Sequence, residues 1–255
     1  MRELSEVSWA IELENFGKCH RVGWTGRRAV AVHPLSLKVA RGEVWGLLGP
    51  NGSGKSTTLK ALAGLIRPTS GHCRIMGHPA GSAVARALVG YLAESPQFPP
   101  HQTGRDYLHY CAGLSGVPSR ERAQRVAEIL TRTGLAAAAD GALATYSKGM
   151  RQRLGLAQAM VHEPAVLLLD EPASGLDPEG RLDLARLIRE LAGRGSAVVF
   201  SSHLVTQAAA ICDRIAVLSC GRLLAAGTPA ELLGENARSA ELSPLEKFYW
   251  ERVHG

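Results

Sequence analysis

GPNGSGKST, residues Gly49–Thr57, follows the short apolar run Val44–Leu48 and opens a helical pattern, Lys55–Leu65, stopped by Pro68 and Gly71. A buried strand, a glycine-rich loop and a helix in direct succession satisfy G-x-x-x-x-G-K-[ST]. The glycines let the backbone turn tightly and aim its N–H groups at phosphate oxygens. The helix that follows adds the positive end of its dipole. Gly49, Pro50, Asn51, Gly52, Ser53, Gly54, Lys55, Ser56 and Thr57 are therefore the candidate nucleotide loop. Lys55 reaches toward the β- and γ-phosphates, and the Ser56 hydroxyl toward Mg2+. The pattern arises by chance in roughly one per cent of chains of this length, so a merely structural turn is the weaker reading.

Further along, AVLLLDEP (Ala165–Pro172) is an apolar strand that ends in two carboxylates. Ligands bind at the carboxyl edge of such sheets, beside the phosphate loop. There Asp170 would hold the Mg2+ shell and Glu171 would polarise an attacking water. A strand ending in Asp-Glu is by itself more often a solvated strand end; beside a phosphate loop it reads as a metal site. AVVFS (Ala197–Ser201) runs into Ser202-His203 at the same edge, where His203 would meet a γ-phosphate or the water.

Other segments place these motifs. Ile11–Glu14 and Val30–Val39 read as strands, and Val166–Leu169 and Ala197–Phe200 as two more. Glu179–Ala192 is an amphipathic helix with Asp177-Pro178 as N-cap and first-turn proline. Ile215–Leu218 and Arg222–Ala226 form a hairpin around Ser219-Cys220-Gly221, and Thr228-Pro229-Ala230-Glu231 is a capping box. Between Ser95 and Glu163 only helices are expected: Thr103–Leu114, Ser119–Thr133 and Met150–His162, with Thr103 and Ser119 as caps. Strands alternating with helices predict an α/β domain with a mostly parallel sheet, and the helical middle predicts an inserted lobe.

Bulk properties narrow the class. A chain of 255 residues buries one sizeable core. No run of about 18 apolar residues appears, and MRELSEVSWAIELEN carries acids where a signal peptide is basic and then apolar, so a cytoplasmic location is expected. The five cysteines are scattered without a CxxC pair, which points to reduced thiols. The net charge of +6 comes from dispersed residues, mostly Arg, so it reads as a solvated surface rather than a nucleic-acid face.

TYSKGMRQRLGLAQAM, Thr145–Met160, completes the set. A serine hydroxyl and a glycine amide at a helix N-terminus make a second anion site, redundant with the first. With these motifs the chain resembles the nucleotide-binding subunit of an ATP-binding cassette (ABC) transporter, from about Ile11 to Val253. In particular it resembles the drug, sodium and polymer exporter and copper-maturation type. The resemblance implies a P-loop, RecA-like core, an N-terminal antiparallel β-lobe and a helical lobe inserted at about 95–163. It implies one domain over 10–235, followed by a helical tail over 236–255.

The same resemblance implies ATP and Mg2+ as ligands and two subunits packed head to tail around two MgATP. Ser147, Lys148 and Gly149 would then meet ATP held by the partner, and Asp177 would cross the interface. Lys55, Glu171 and His203 would be catalytic. A membrane permease on a separate chain would be driven from the inner face of the membrane. The tail SPLEKFYWERV (Ser243–Val253) also resembles the exporter type, although Phe248 reads better as packing on the chain's own core. A soluble ABC ATPase acting on ribosomes or DNA is the rival. The translation relatives carry two cassettes and the repair relatives long coiled coils, and this chain has neither.

Two positions depart from the family pattern. Where a glutamine usually senses Mg2+, GYLAES (Gly90–Ser95) offers Glu94, with Gln97 nearby. The adenine-stacking position falls on His20, while Trp24 offers a larger surface a few residues later.

Overall fold

Period-two burial builds the first strand, where Ile11 and Leu13 are buried and Glu12 and Glu14 are not. In this computed structural model, which describes residues 9–22 and 27–233, β1 (Ile11–Val22) pairs antiparallel with β2 (Arg27–Val39), Ile11 opposite Val39. β3 (Val44–Leu48) is buried throughout and leads into α1 (Lys55–Leu62). β4 (Ser70–Ile75) and β5 (His78–Pro79) finish the antiparallel sheet in the order β2-β1-β4-β5. β4 was not legible in the sequence, because only Cys73 and Ile75 of its six residues are buried.

After α2 (Ala83–Ala87) and β6 (Val89–Leu92) come three helices: α3 (Gly104–Leu114), α4 (Ser119–Arg132) and α5 (Lys148–Met160). The chain returns through β7 (Val166–Leu169), α6 (Pro178–Gly193), β8 (Ala197–Ser202) and α7 (Val205–Ile211). The hairpin β9 (Arg214–Ser219) and β10 (Arg222–Gly227) precedes α8 (Pro229–Leu233). The second sheet runs β10-β9-β3-β8-β7-β6, parallel throughout except for the β9–β10 hairpin.

This sheet is covered on both faces, which is why β3, β7 and β8 read as unbroken apolar runs. Val166, Leu168 and Val199 point into one buried cluster with Phe16, Leu59 and Leu62. Leu167, Leu169, Val198 and Phe200 point into the other, with Leu92 of β6, Leu154 of α5 and Leu184 of α6. The register sets Leu169 opposite Phe200 and Leu48 opposite Ser202. The carboxyl ends of β3, β7 and β8 therefore open on one edge.

Helix boundaries differ from expectation for identifiable reasons. α1 stops at Leu62 rather than Leu65, because Gly64 takes φ +71° and the N–H groups of Gly64 and Leu65 bond the carbonyls of Ala61 and Lys60. That is a Schellman end, and glycine is the residue that tolerates it. α4 is capped by Pro118, with Ser119 its first helical residue. α5 starts two residues earlier than expected, because Ser147 is its N-cap and accepts from Met150 N.

Candidate functional site

Gly54 caps α1 in the left-handed region, φ +104°, and a Cβ there would lie 2.9 Å from the Ala31 carbonyl oxygen. No other residue fits that turn without strain. α1 carries neither a capping side chain nor an acid in its first turn, which leaves the positive end of its dipole for an anion. From behind, the β9–β10 turn braces the loop, Gly221 N donating to Ser53 O at 3.2 Å. The Ser53 hydroxyl is buried without a hydrogen-bond partner among the described residues.

Lys55 is 5% exposed, and its Nζ donates to Gly49 O at 2.7 Å and Pro50 O at 3.1 Å. The ammonium is thus parked on the loop's own carbonyls, 3.8 Å from Glu171 Oε1. Burial pulls its pKa down, against the opposing pull of Glu171, Asp170 and Glu94.

Asp170 is 1% exposed, and its Oδ1 accepts from Ser56 Oγ at 2.9 Å and from Ser201 Oγ at 2.7 Å. Asp170 and Ser56, predicted as metal ligands from motifs 114 positions apart, are therefore in contact. A buried carboxylate beside a hydroxyl is an oxygen donor pair of the kind Mg2+ uses, with phosphate and water completing the shell. Among the described residues no three His, Cys, Asp or Glu side chains form a protein-only metal cage.

Glu171 sits at φ +48°, with Oε2 2.9 Å from His203 Nδ1. Among the described residues its buried Oε1 accepts no hydrogen bond and has the Lys55 ammonium 3.8 Å away, so its acceptor capacity is only partly used. Glu94 is exposed just past β6, and its charge acts on Lys55 and on the buried Tyr91 hydroxyl. The Tyr91 pKa is pushed up to about 12, by desolvation first and then by Asp170 and Glu94.

Ser147, Lys148 and Gly149 meet a different neighbour. A Cβ on Gly149 would lie 3.0 Å from Gly175 O, and the Lys148 stem lies along Gly175. Among the described residues no hydrogen bond joins them to Gly49–Thr57. Ser147 Oγ accepts from Met150 N at 3.2 Å, which leaves its own proton free to donate. Asp177 caps α6 through Gly180 N at 2.9 Å and stands 4.0 Å from Arg153. His20 is exposed on β1 opposite Ala29. Trp24, the tail 236–255 and Phe248 within it lie outside the described residues.

Ser201 and Gln152 went unassigned in the sequence, yet both touch the site. Ser201 Oγ accepts from Glu171 N at 2.8 Å, and Gln152 Nε2 donates to Glu171 O at 3.2 Å. The only signal was a hydroxyl two places before His203.

The profile of the family described as ABC transporter matches residues 32–174. An uncharacterised ABC transporter ATP-binding protein of Nostoc sp. (strain PCC 7120) is 44% identical over 220 residues, 85% of this chain and 66% of that protein. The daunorubicin resistance ATP-binding protein DrrA3 of Streptomyces coeruleorubidus is 38% identical over 207 residues, 80% and 66% of the two chains. The chain thus spans just under two thirds of the length of these relatives. A dimeric bacterial ABC transporter cassette of known structure matches with a TM-score of 0.79 at 25% identity, over 86% of this chain and 98% of that one.

Proposed function

The chain belongs to the ABC transporter family, and we propose that it is the ATP-hydrolysing motor of a transporter whose membrane-spanning part is a separate chain. The observation that carries this is the convergence of Lys55, Ser56, Asp170, Glu171, Ser201 and His203 at the mouth of one phosphate loop. ATP would lie with its phosphates on the loop amides and the α1 N-terminus, and Lys55 would exchange the Gly49 and Pro50 carbonyls for phosphate oxygens. Ser56 and Asp170 would hold Mg2+, which when bound neutralises phosphate charge. Glu171 Oε1 would accept the proton of the water that attacks the γ-phosphorus, and ADP would leave with the β–γ bridging oxygen. His203 would hold Oε2 and contact the γ-phosphate.

Residues 10–235 would form one ATPase unit, with the helical lobe inserted at about 95–163. Ser147, Lys148 and Gly149 would serve ATP bound by a second copy, the Ser147 proton donating to a phosphate oxygen. Two chains would therefore pack head to tail around two MgATP, with Asp177 at the interface, and closure on ATP would drive the permease. The dimeric cassette among the solved structures supports the pairing of two chains. Tyr110 and Leu114, one turn apart on α3, are 60% and 71% exposed, an apolar pair that suits a protein partner. No described helix is long and apolar enough to cross a membrane, so this chain would sit peripherally, through the permease. The daunorubicin-resistance relative supports export as the direction.

A tagged copy recovered from detergent-solubilised membranes, assayed for phosphate release, tests the reading. A multi-span partner that stimulates turnover is the expected result. Ribosomes or DNA recovered in its place would overturn it.

A further inference from the structure

The backbone of Glu171, rather than its carboxylate, carries the next inference. Its φ of +48° is a conformation non-glycine residues adopt rarely and keep only when the surroundings hold them there. The holding groups are all identifiable. Glu171 N donates to the fully buried Ser201 hydroxyl, which in turn donates a hydrogen bond to Asp170 Oδ1. Glu171 O accepts from Ser174 N at 3.0 Å and from the side-chain amide of Gln152 at 3.2 Å. Gln152 is 3% exposed and stands on α5, the helix that Ser147 caps.

We propose that Ser201 and Gln152 are positioning residues that hold the Glu171 peptide so that its Oε1 faces the nucleotide, with Gln152 tying that setting to α5. The inference rests on Glu171 being the general base. Ser201 ties the Asp170 carboxylate and the Glu171 peptide N–H to one hydroxyl, so the metal-side carboxylate and the backbone that carries the base keep a fixed spacing. Gln152 reaches the same peptide from the helical lobe, so a shift of α5 moves the carbonyl it grips. Docking of Ser147 on a second subunit's ATP is then felt at this subunit's own base.

The test uses the intact chain, with Gln152→Leu and Ser201→Ala each made alone and in the Glu171→Gln background. Hydrolysis of radiolabelled ATP is followed in single turnovers long enough to resolve the residual rate. Alone, each variant is expected to lower kcat about tenfold or more while KM for ATP stays within about twofold. In the Glu171→Gln background neither should lower the residual rate further, because the group they position is already absent. Rate losses that multiply, or a KM that rises in step with the fall in kcat, overturn the proposal. Where Gln152→Leu loses its thermal transition, the longer, flexible Gln152→Met is substituted, and Ser201→Ala remains an independent arm. A Glu171→Gln variant that turns over normally overturns the base assignment itself, a result distinct from failure of the clamp alone.

Discussion

His203 Nδ1 lies 2.9 Å from Glu171 Oε2, while among the described residues Glu171 Oε1 accepts no hydrogen bond and lies 3.8 Å from the Lys55 ammonium. One oxygen of the carboxylate is oriented and the other left to act. On this account Glu171→Gln keeps ATP binding and loses turnover by about 10²- to 10⁴-fold, the span expected for a general base. His203→Ala is expected to lower kcat less, with the residual rate still dependent on Glu171. Phosphate-release assays at saturating ATP check both, and normal turnover in Glu171→Gln contradicts the assignment.

Lys55 gives a pH signature in the nucleotide-free protein. Its folded pKa is lowered, chiefly by burial. The unfolded chain therefore binds more protons between that lowered value and the unfolded value near 10.5, and stability rises with pH through the window. Lys55→Met removes the buried charge, so its advantage in Tm over the unaltered chain should be largest near neutrality and shrink toward pH 10.5. The same variant should raise KM for ATP more than about tenfold. A Tm difference that does not change with pH contradicts the first expectation.

Ser56→Ala removes one of the two oxygen donors that converge at 2.9 Å beside the phosphate loop. The Mg2+ concentration needed for half-maximal hydrolysis should rise about tenfold, while binding of nucleotide without metal should change little. Titration of the rate with Mg2+ checks this, and an unchanged midpoint contradicts it.

Thiol reactivity follows burial. Cys73 is pushed up to about 12, and Cys111 and Cys212 are also raised, in each case first by desolvation. Cys220 is exposed and Cys19 half-buried. Alkylation of the native protein near pH 7.5, read by peptide mass spectrometry, should mark Cys220 first and spare Cys73, Cys111 and Cys212 until unfolding. Labelling of Cys73 as fast as Cys220 contradicts the packing of β4.

What the sequence disclosed follows from where its information is local. β3, β7 and β8 were legible because burial on both faces leaves unbroken apolar runs, and the phosphate loop because its glycines and Lys55 lie together in the chain. Ser147 was legible as a residue at the N-terminus of a helix, which it caps. The neighbour of Lys148 and Gly149, Gly175, depends on how α5 lies against the loop before α6, and no spacing encodes that. Ser201 gains its role only from its register opposite Leu47 and its reach to Asp170 across to β7, and Gln152 only from the placement of α5. β6 was hidden for a simpler reason, since VGYL is four residues long and half of it is not fully buried.

The central claim is that the phosphate loop is half of a composite site, with Ser147 and Gly149 of a second chain as the other half. Sedimentation of Glu171→Gln with and without ATP tests it most directly, because blocked hydrolysis preserves the closed state. The account predicts a monomer without nucleotide and a dimer holding two ATP with it, lost again in Glu171→Gln carrying Gly149→Asp. An ATP-saturated monomer, or a dimer indifferent to both ATP and Gly149→Asp, would contradict it.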